Sequence, residues 1–214
     1  MKIRFRNIIH VIFEKIYYYL AISVVFMLTF VAGLGIFGFI PAHKISFKIY
    51  DRLYNERYKE KVKVFRIFKN QLGESLKENF KISLVYSAML LILAVDILYF
   101  STSISPIHTG LFYLFLILSF WLINSLLMSL YIDSTHEGLT FKENIQNSLA
   151  LIIVNIVDIL LMDIILGLVF LALYKMSFIL IILLFPGIFI EISFYFFTRI
   201  LAKKSLTYLL FNLS

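Results

Sequence analysis

The apolar residues of this chain fall into long runs that are separated by shorter polar stretches. No Asp, Glu, Lys or Arg occurs from Ile16 to His43, and none occurs from Ile97 to Ile132. A helix that crosses a bilayer needs about 20 mostly apolar residues, so the first run can hold one crossing and the second at least one. The pattern therefore predicts helices that lie in lipid rather than around a water-soluble core.

The whole pattern predicts an all-α, polytopic transmembrane helical bundle of about five spans, folded as a single domain over residues 1–214. Helical spacing of the apolar residues in 1–15 predicts an amphipathic segment that lies in the interface or extends the first span. Residues 41–79 are expected to form a basic cytoplasmic linker. The predicted spans are residues 16–40, 80–100, 109–132, 148–173 and 177–198.

The distribution of basic residues orients the predicted spans. Residues 41–81 carry eleven Lys or Arg and five acidic residues, whereas residues 101–108 carry no formal charge. The positive-inside rule puts the first stretch in the cytoplasm and the second outside, and the C-terminus then falls inside by alternation. Residues 1–15 are also basic, which leaves two alternatives for the first span. Either five full spans put the N-terminus outside, or a broken or re-entrant first segment has both ends inside; we favour five full spans.

Two segments of the chain resemble each other at an offset of 65 residues. Gly73–Leu84 (GESLKENFKISL) and Gly138–Leu149 (GLTFKENIQNSL) share six of twelve positions. Both contain a capping-box pattern, in which a hydroxyl and a carboxylate satisfy backbone N–H groups at the start of a helix. We predict helix starts at both places, and two parallel copies of a helical hairpin in the last four spans. The predicted capping pairs are Ser75 with Glu78 and Thr140 with Glu143.

The glycine-rich stretch 33–38 (GLGIFG) has the letters of the dinucleotide-binding fingerprint. That fingerprint requires a strand before it, a helix after it and an acidic residue about 20 positions later, and here it lies in a predicted span. We interpret Gly35 and Gly38 as small residues that let helices pack closely, with a bend that lines a cavity as the alternative. Pro41 is expected to end or kink the segment.

Polar side chains inside the predicted spans are the candidate functional residues, because placing a charge in the bilayer is costly. We expect two of these acids, Asp96 and Asp163, near the outer surface. Asp158 and Glu191 are expected deeper, facing the bundle interior. The full set is Asp158, Glu191, Asn155, Asn124, Asp163 and Asp96. The expected partners are Asn155 for Asp158, Asn124 or Arg199 for Glu191, and Lys175 for Asp163.

Several function classes find no support in the composition. The absence of cysteine excludes disulfides, iron–sulfur clusters and cysteine nucleophiles. Because no G-x-S-x-G, H-E-x-x-H or P-loop motif occurs, we expect no enzyme activity, catalytic residue or cofactor. Asp133, His136 and Glu137 cluster at a predicted turn, and we interpret them as solvated rather than as a metal site. The net charge of +7 lies at helix ends and in one loop, so nucleic acid is not an expected partner.

Two sequence blocks resemble the YesL family of bacterial membrane proteins, whose biochemical role is not established. They are VAGLGIFGFIPAHKISFKIY (31–50) and KVFRIFKNQLGESLKENFKIS (63–83), within residues 15–100. Members are often encoded beside carbohydrate uptake systems, so the resemblance implies a place in the bacterial plasma membrane and an association with sugar transport. It supplies no site residue.

Two functions remain as expectations. The leading one is a non-catalytic membrane protein that is accessory or regulatory to carbohydrate uptake, with a transporter complex as partner. The alternative is a small solute or proton-coupled transporter that uses its intramembrane acids. Because five spans are few for a transporter, a homo-oligomer would supply the further helices.

Overall fold

The computed structural model describes residues 2–55, 63–102, 105–135 and 141–211. All helices in this part of the chain except α2 and α5 contain a segment that is long and apolar enough to cross a membrane. The chain is therefore an all-α, multi-pass membrane protein, which confirms the predicted fold class. The helices are α1 (Lys2–Ala32), α2 (Phe39–Asn55), α3 (Val64–Ser101), α4 (Pro106–Thr135), α5 (Phe141–Val154), α6 (Ile156–Met176) and α7 (Phe178–Phe211).

The glycine-rich stretch 33–38 forms a tight turn between α1 and α2. Leu34 and Gly35 have positive φ angles of 53° and 76°. A Cβ atom on Gly38 would lie 2.5 Å from the carbonyl oxygen of Phe30, so only glycine allows α2 to start this close to the end of α1. Gly38 thus lets two helices pack closely, as the sequence indicated, but the two helices are joined by a turn: the chain reverses direction at Gly35, so residues 16–40 are not one continuous helix.

Helix α2 occupies the centre of the bundle, where it packs against α1, α3, α4 and α7. Pro41 lies in its first turn, where a backbone N–H has no partner inside the helix, so this proline begins a helix instead of ending one. The prediction of a linker over residues 41–79 is therefore wrong, because most of these residues belong to α2 and to the first part of α3. The buried apolar stripe of α2 is Ile40, Ile45, Ile49 and Leu53.

Helix α1 runs antiparallel to α7. Lys15 lies 3.6 Å from Glu191, and the Ser23 hydroxyl accepts a hydrogen bond from the Gly187 N–H at 2.9 Å. The C-terminal half of α4 lies beside the same part of α7, where the Tyr131 and Thr198 hydroxyls are 2.8 Å apart. One end of the bundle contains the starts of α1 and α3 and the C-terminal ends of α4 and α7. We call it the basic end.

The α1–α2 turn contacts α3 part-way along its length. The hydroxyls of Ser83 and Ser87 donate to the carbonyl oxygens of Phe37 and Ile36, at 3.4 and 3.2 Å. Ser87 precedes the end of α3 at Ser101 by about 21 Å at 1.5 Å per residue. The first segment is thus a helical hairpin, and both its ends lie at the basic end. This arrangement fits the alternative of a broken first segment, while α1 contains a stretch, Ile12–Ala32, that is long and apolar enough to cross a membrane. The choice between the two models, and with it the side of the N-terminus, stays a prediction.

The predicted capping box at Ser75 is wrong, because α3 already begins at Val64. Ser75 is buried inside the helix, and its backbone carbonyl accepts a hydrogen bond from the Asn79 side chain at 2.7 Å. Glu78 is exposed on the same helix. In the second copy, α5 begins at Phe141 with Glu143 in its first turn, while Thr140 lies outside the described residues.

The two related segments bury equivalent positions. Asn79 and Ser83 of α3 correspond to Asn144 and Ser148 of α5 at the 65-residue offset, and all four are buried. Each segment leads into an antiparallel helix pair. The first lies within α3, which pairs with α4, and the second precedes α6, which pairs with α7. The copies differ at Asn155, which separates α5 from α6 with no counterpart in α3. The two-hairpin repeat stays a prediction, with matching burial in its favour.

Candidate functional site

Helices α1 and α7 make their closest approach at Gly187. A Cβ atom added there would lie 2.4 Å from the Tyr19 carbonyl oxygen. The preceding residue, Pro186, interrupts the backbone hydrogen bonds of α7, and the Ser23 hydroxyl accepts the Gly187 N–H from the neighbouring helix. Proline is tolerated in membrane helices where such a neighbour supplies the missing partner. This contact holds the next turn of α7 against α1.

That next turn carries Glu191, whose carboxylate accepts a hydrogen bond from the Tyr19 hydroxyl and forms an ion pair with Lys15. Its side chain is 23% exposed and faces α1. The expected partners Asn124 and Arg199 are wrong. The Asn124 amide contacts α6 instead, and the antiparallel packing brings Lys15 and Tyr19, which lie four residues apart on one face of α1, to the carboxylate.

A cavity of about 790 Å³ lies beside Glu191. Its walls are Lys15 of α1, Tyr50 and Tyr54 of α2, Ile165 of α6, and residues of α7 from Glu191 to Ala202. The volume lies within the roughly 300–1,000 Å³ of small-molecule sites. The cavity combines aromatic and aliphatic walls with three charged side chains, Lys15, Glu191 and Arg199, which makes it a candidate binding site.

Asp163 forms a second polar contact inside the bundle. The buried Asn124 side chain on α4 donates to Asp163 on α6 at 2.9 Å, while its own amide oxygen has no partner among the described residues. The expected partner, Lys175, is wrong because it lies twelve residues further along α6, at the opposite end. From the start of α6 at Ile156, Asp163 lies about 10 Å along the span, not near the outer surface.

Asp158 is buried, with 8% exposure, but it lies at the basic end rather than deep in the bilayer. It is in the first turn of α6, and its carboxylate is 2.5 Å from the Lys203 ammonium near the end of α7. The expected partner Asn155 instead donates to the Leu151 carbonyl at 3.0 Å. Because Asn155 divides the predicted fourth span, the apolar crossing starts at Ile156, only two residues before Asp158.

The remaining candidate, Asp96, is half-buried on α3, about 8 Å before the end of the helix at Ser101. Of the residues considered for a metal, Asp133 pairs with Lys44 at 2.5 Å. His136 and Glu137 lie outside the described residues. Within the residues that the structure describes, no group of three or more His, Asp or Glu has the arrangement of a metal site.

The half-buried Lys44 and the buried His43 of α2 escaped the sequence reasoning, because that segment was interpreted as a linker. The Lys44 ammonium lies between Asp133 of α4 and the Asn79 amide oxygen of α3, 3.4 Å away. His43 packs edge-on against Phe26 of α1 at 4.9 Å. Burial lowers the pKa of His43 to about 4, so the neutral ring donates its Nδ1–H to a backbone carbonyl. Both groups join α2 to its neighbours.

Comparison with known proteins gives one match. Residues 19–97 match the model of a family described as "Protein of unknown function, DUF624". The matched region contains the second half of α1, the turn, α2 and most of α3, including both sequence blocks that resemble the YesL family. No curated protein and no solved structure matches the chain. The similarity therefore concerns the α1–α2 turn and its contact with α3, not the cavity wall formed by α7.

Proposed function

We propose that this chain is a non-catalytic membrane protein that assists or regulates carbohydrate uptake in a bacterial plasma membrane, with its basic end in the cytoplasm. The family resemblance supports the link to uptake. A basic surface on α3 supports a docking role. This surface consists of Arg66, Lys69, Lys77 and Lys81, which are all exposed.

The four cations form one stripe along α3. At about 100° per residue they fall within about 120° of the helix circumference, while Val64 on the opposite side is buried in the bundle core. The stripe from Arg66 to Lys81 is about 22 Å long. It therefore presents a row of positive charge, not a scatter of single residues.

The length of the stripe is the observation that carries the proposal. The apolar part of α3 from Ile82 to Ser101 is about 30 Å long and fills the hydrocarbon core. The headgroup layer on each side is only about 5–8 Å thick. Lys77 and Lys81 fall at that depth, as membrane anchoring alone requires. Arg66 and Lys69 lie about 20–24 Å beyond the core, where they are available to an acidic surface on a partner protein.

Affinity purification from native membranes tests the docking role. Carbohydrate transporter subunits should be recovered with the tagged wild-type protein and lost with Lys69→Glu. A matched control is Lys175→Glu, which reverses an exposed lysine at the opposite end of the bundle. If the wild-type protein brings down no transporter subunit under conditions that preserve known complexes, the proposal is wrong.

A small transporter is the second candidate, and the Glu191 cavity favours it. Glu191 lies about 20 Å along α7 from Phe178, which is about 10 Å inside a 30 Å core. Carriers place ionisable groups at such depths. Against it, the predicted repeat is parallel and the spans are few. In proteoliposomes, solute or proton flux that Glu191→Gln abolishes and Glu74→Gln spares would support transport. Absence of flux with the wild-type protein would remove this candidate.

A further inference from the structure

Arg199 contributes an unbalanced positive charge to the cavity. The carboxylate of Glu191 already contacts Lys15 and the Tyr19 hydroxyl, so the charge of this acid is compensated. Among the residues that the structure describes, no acid pairs with Arg199, which is exposed at the cavity wall. The three charged groups of the cavity therefore sum to about +1, which favours an anionic ligand.

The depth of Arg199 matches the phospholipid headgroups. It lies 21 residues after Phe178, or about 32 Å along α7, which is close to the thickness of a 30 Å hydrocarbon core. The cavity extends from this level inward to Glu191, about 12 Å away along the helix. One end therefore lies among headgroups, and the other reaches into the acyl-chain region.

The walls between these two ends are mostly apolar. Ile192 and Phe196 of α7 and Ile165 of α6 line the cavity, and Ile165 is 39% exposed to the surroundings of the bundle. On α1, Phe13 and Ile16 beside Lys15 are also exposed. The cavity thus borders surfaces that lipid covers. A soluble anion would leave these apolar walls without contact, whereas the acyl chains of a lipid would cover them.

We propose that the cavity between α1, α2, α6 and α7 binds an anionic phospholipid, with its phosphate at Arg199 and its acyl chains along Ile192 and Phe196. Basic pockets between transmembrane helices bind anionic headgroups by this combination of charge and apolar contact. Bidentate contact between guanidinium and phosphate makes arginine well suited to this role. The proposal is independent of the α3 docking surface, which lies outside this cavity.

Native mass spectrometry of the delipidated full-length protein tests the assignment, with phosphatidylglycerol and phosphatidylcholine as probes. We expect tighter binding of phosphatidylglycerol. Removal of one charge-assisted contact is expected to weaken it about tenfold in Arg199→Gln. The matched control is Arg52→Gln, an exposed arginine on α2 that does not line the cavity. Glu191→Gln should strengthen binding, because it raises the net charge of the site.

The opposite results would overturn the proposal. Equal weakening in Arg52→Gln would indicate attraction to the whole basic end, and equal binding of phosphatidylcholine would indicate an apolar groove without headgroup selection. Binding of glycerol 3-phosphate as tight as that of phosphatidylglycerol would identify a soluble anion site and exclude the role of the acyl chains. Unchanged binding in Arg199→Gln, with the Glu191→Gln variant also unchanged, would place the lipid elsewhere.

Discussion

Replacement of Gly187 by alanine tests whether close contact between α1 and α7 builds the candidate site. The new methyl group would lie 2.4 Å from the Tyr19 carbonyl oxygen, against an ordinary contact of at least 3.4 Å. The backbone of α1 must therefore move by about 1 Å, because a backbone atom in a packed helix cannot rotate away.

The expected cost follows from three contributions. Overpacking of a close contact costs about 1–3 kcal/mol. Displacement of α1 also weakens the hydrogen bond from the Gly187 N–H to Ser23, which contributes about 0.5–1.5 kcal/mol. The higher helix propensity of alanine offsets about 1 kcal/mol of this destabilisation. We expect Gly187→Ala to lower the free energy of unfolding by about 1–3 kcal/mol, and to loosen the Tyr19 contact with Glu191.

Gly167→Ala is the matched control, because nothing lies within 4 Å of a Cβ atom at Gly167 in α6. Only the propensity gain applies there, so this variant should be more stable by about 0.5–1 kcal/mol. Both free energies can be measured by reversible unfolding in mixed micelles of increasing dodecyl sulfate content, followed by circular dichroism. If the two variants have equal stability, the close approach of α1 and α7 is refuted.

Three further predictions concern the turn, the topology and the buried amide. Ser87→Ala removes a donor to the α1–α2 turn and should lower the free energy of unfolding in the same assay by about 0.5–1.5 kcal/mol. In this cysteine-free chain, Lys2→Cys and Ile107→Cys should react with an impermeant maleimide from opposite sides of the membrane; labelling of both from one side would support five full spans with the N-terminus outside. Asn124→Leu leaves the half-buried Asp163 carboxylate without its partner and should destabilise by about 1–3 kcal/mol, whereas Asp163→Asn should be close to neutral.

The span positions were predictable because hydropathy is a local property of the chain. The expected span 109–132 lies inside α4, which extends three residues further at each end, and the expected span 177–198 begins one residue before α7, which continues to Phe211. Local signals also misled where packing decided the outcome. The S-x-x-E pattern at Ser75 lies inside α3, because the buried residues Val64 and Ile67 extend the helix backwards over α2.

The partners of the polar residues could not be predicted in the same way. Each pair depends on which faces of distant helices meet, and this information is not contained in either segment alone. Asn124 was expected near Glu191, but it contacts Asp163. The partner of Asp158 is Lys203, which was not among the expected partners. The hairpin in the first segment was open to inference, because this segment is basic at both ends, which a single full span cannot satisfy.

The central position of α2 constrains the order in which the chain can assemble during insertion. With Lys44, Lys48, Asp51 and Arg52, α2 is too polar to enter the bilayer as an independent span, since each charge costs about 2.5–3.5 kcal/mol at the centre of an inserted helix. Its contacts include α7, which is synthesised last. The native place of α2 is therefore completed only after the final helix has inserted. A chain truncated before α7 would leave α2 exposed at the membrane surface, where quality-control proteases can recognise it.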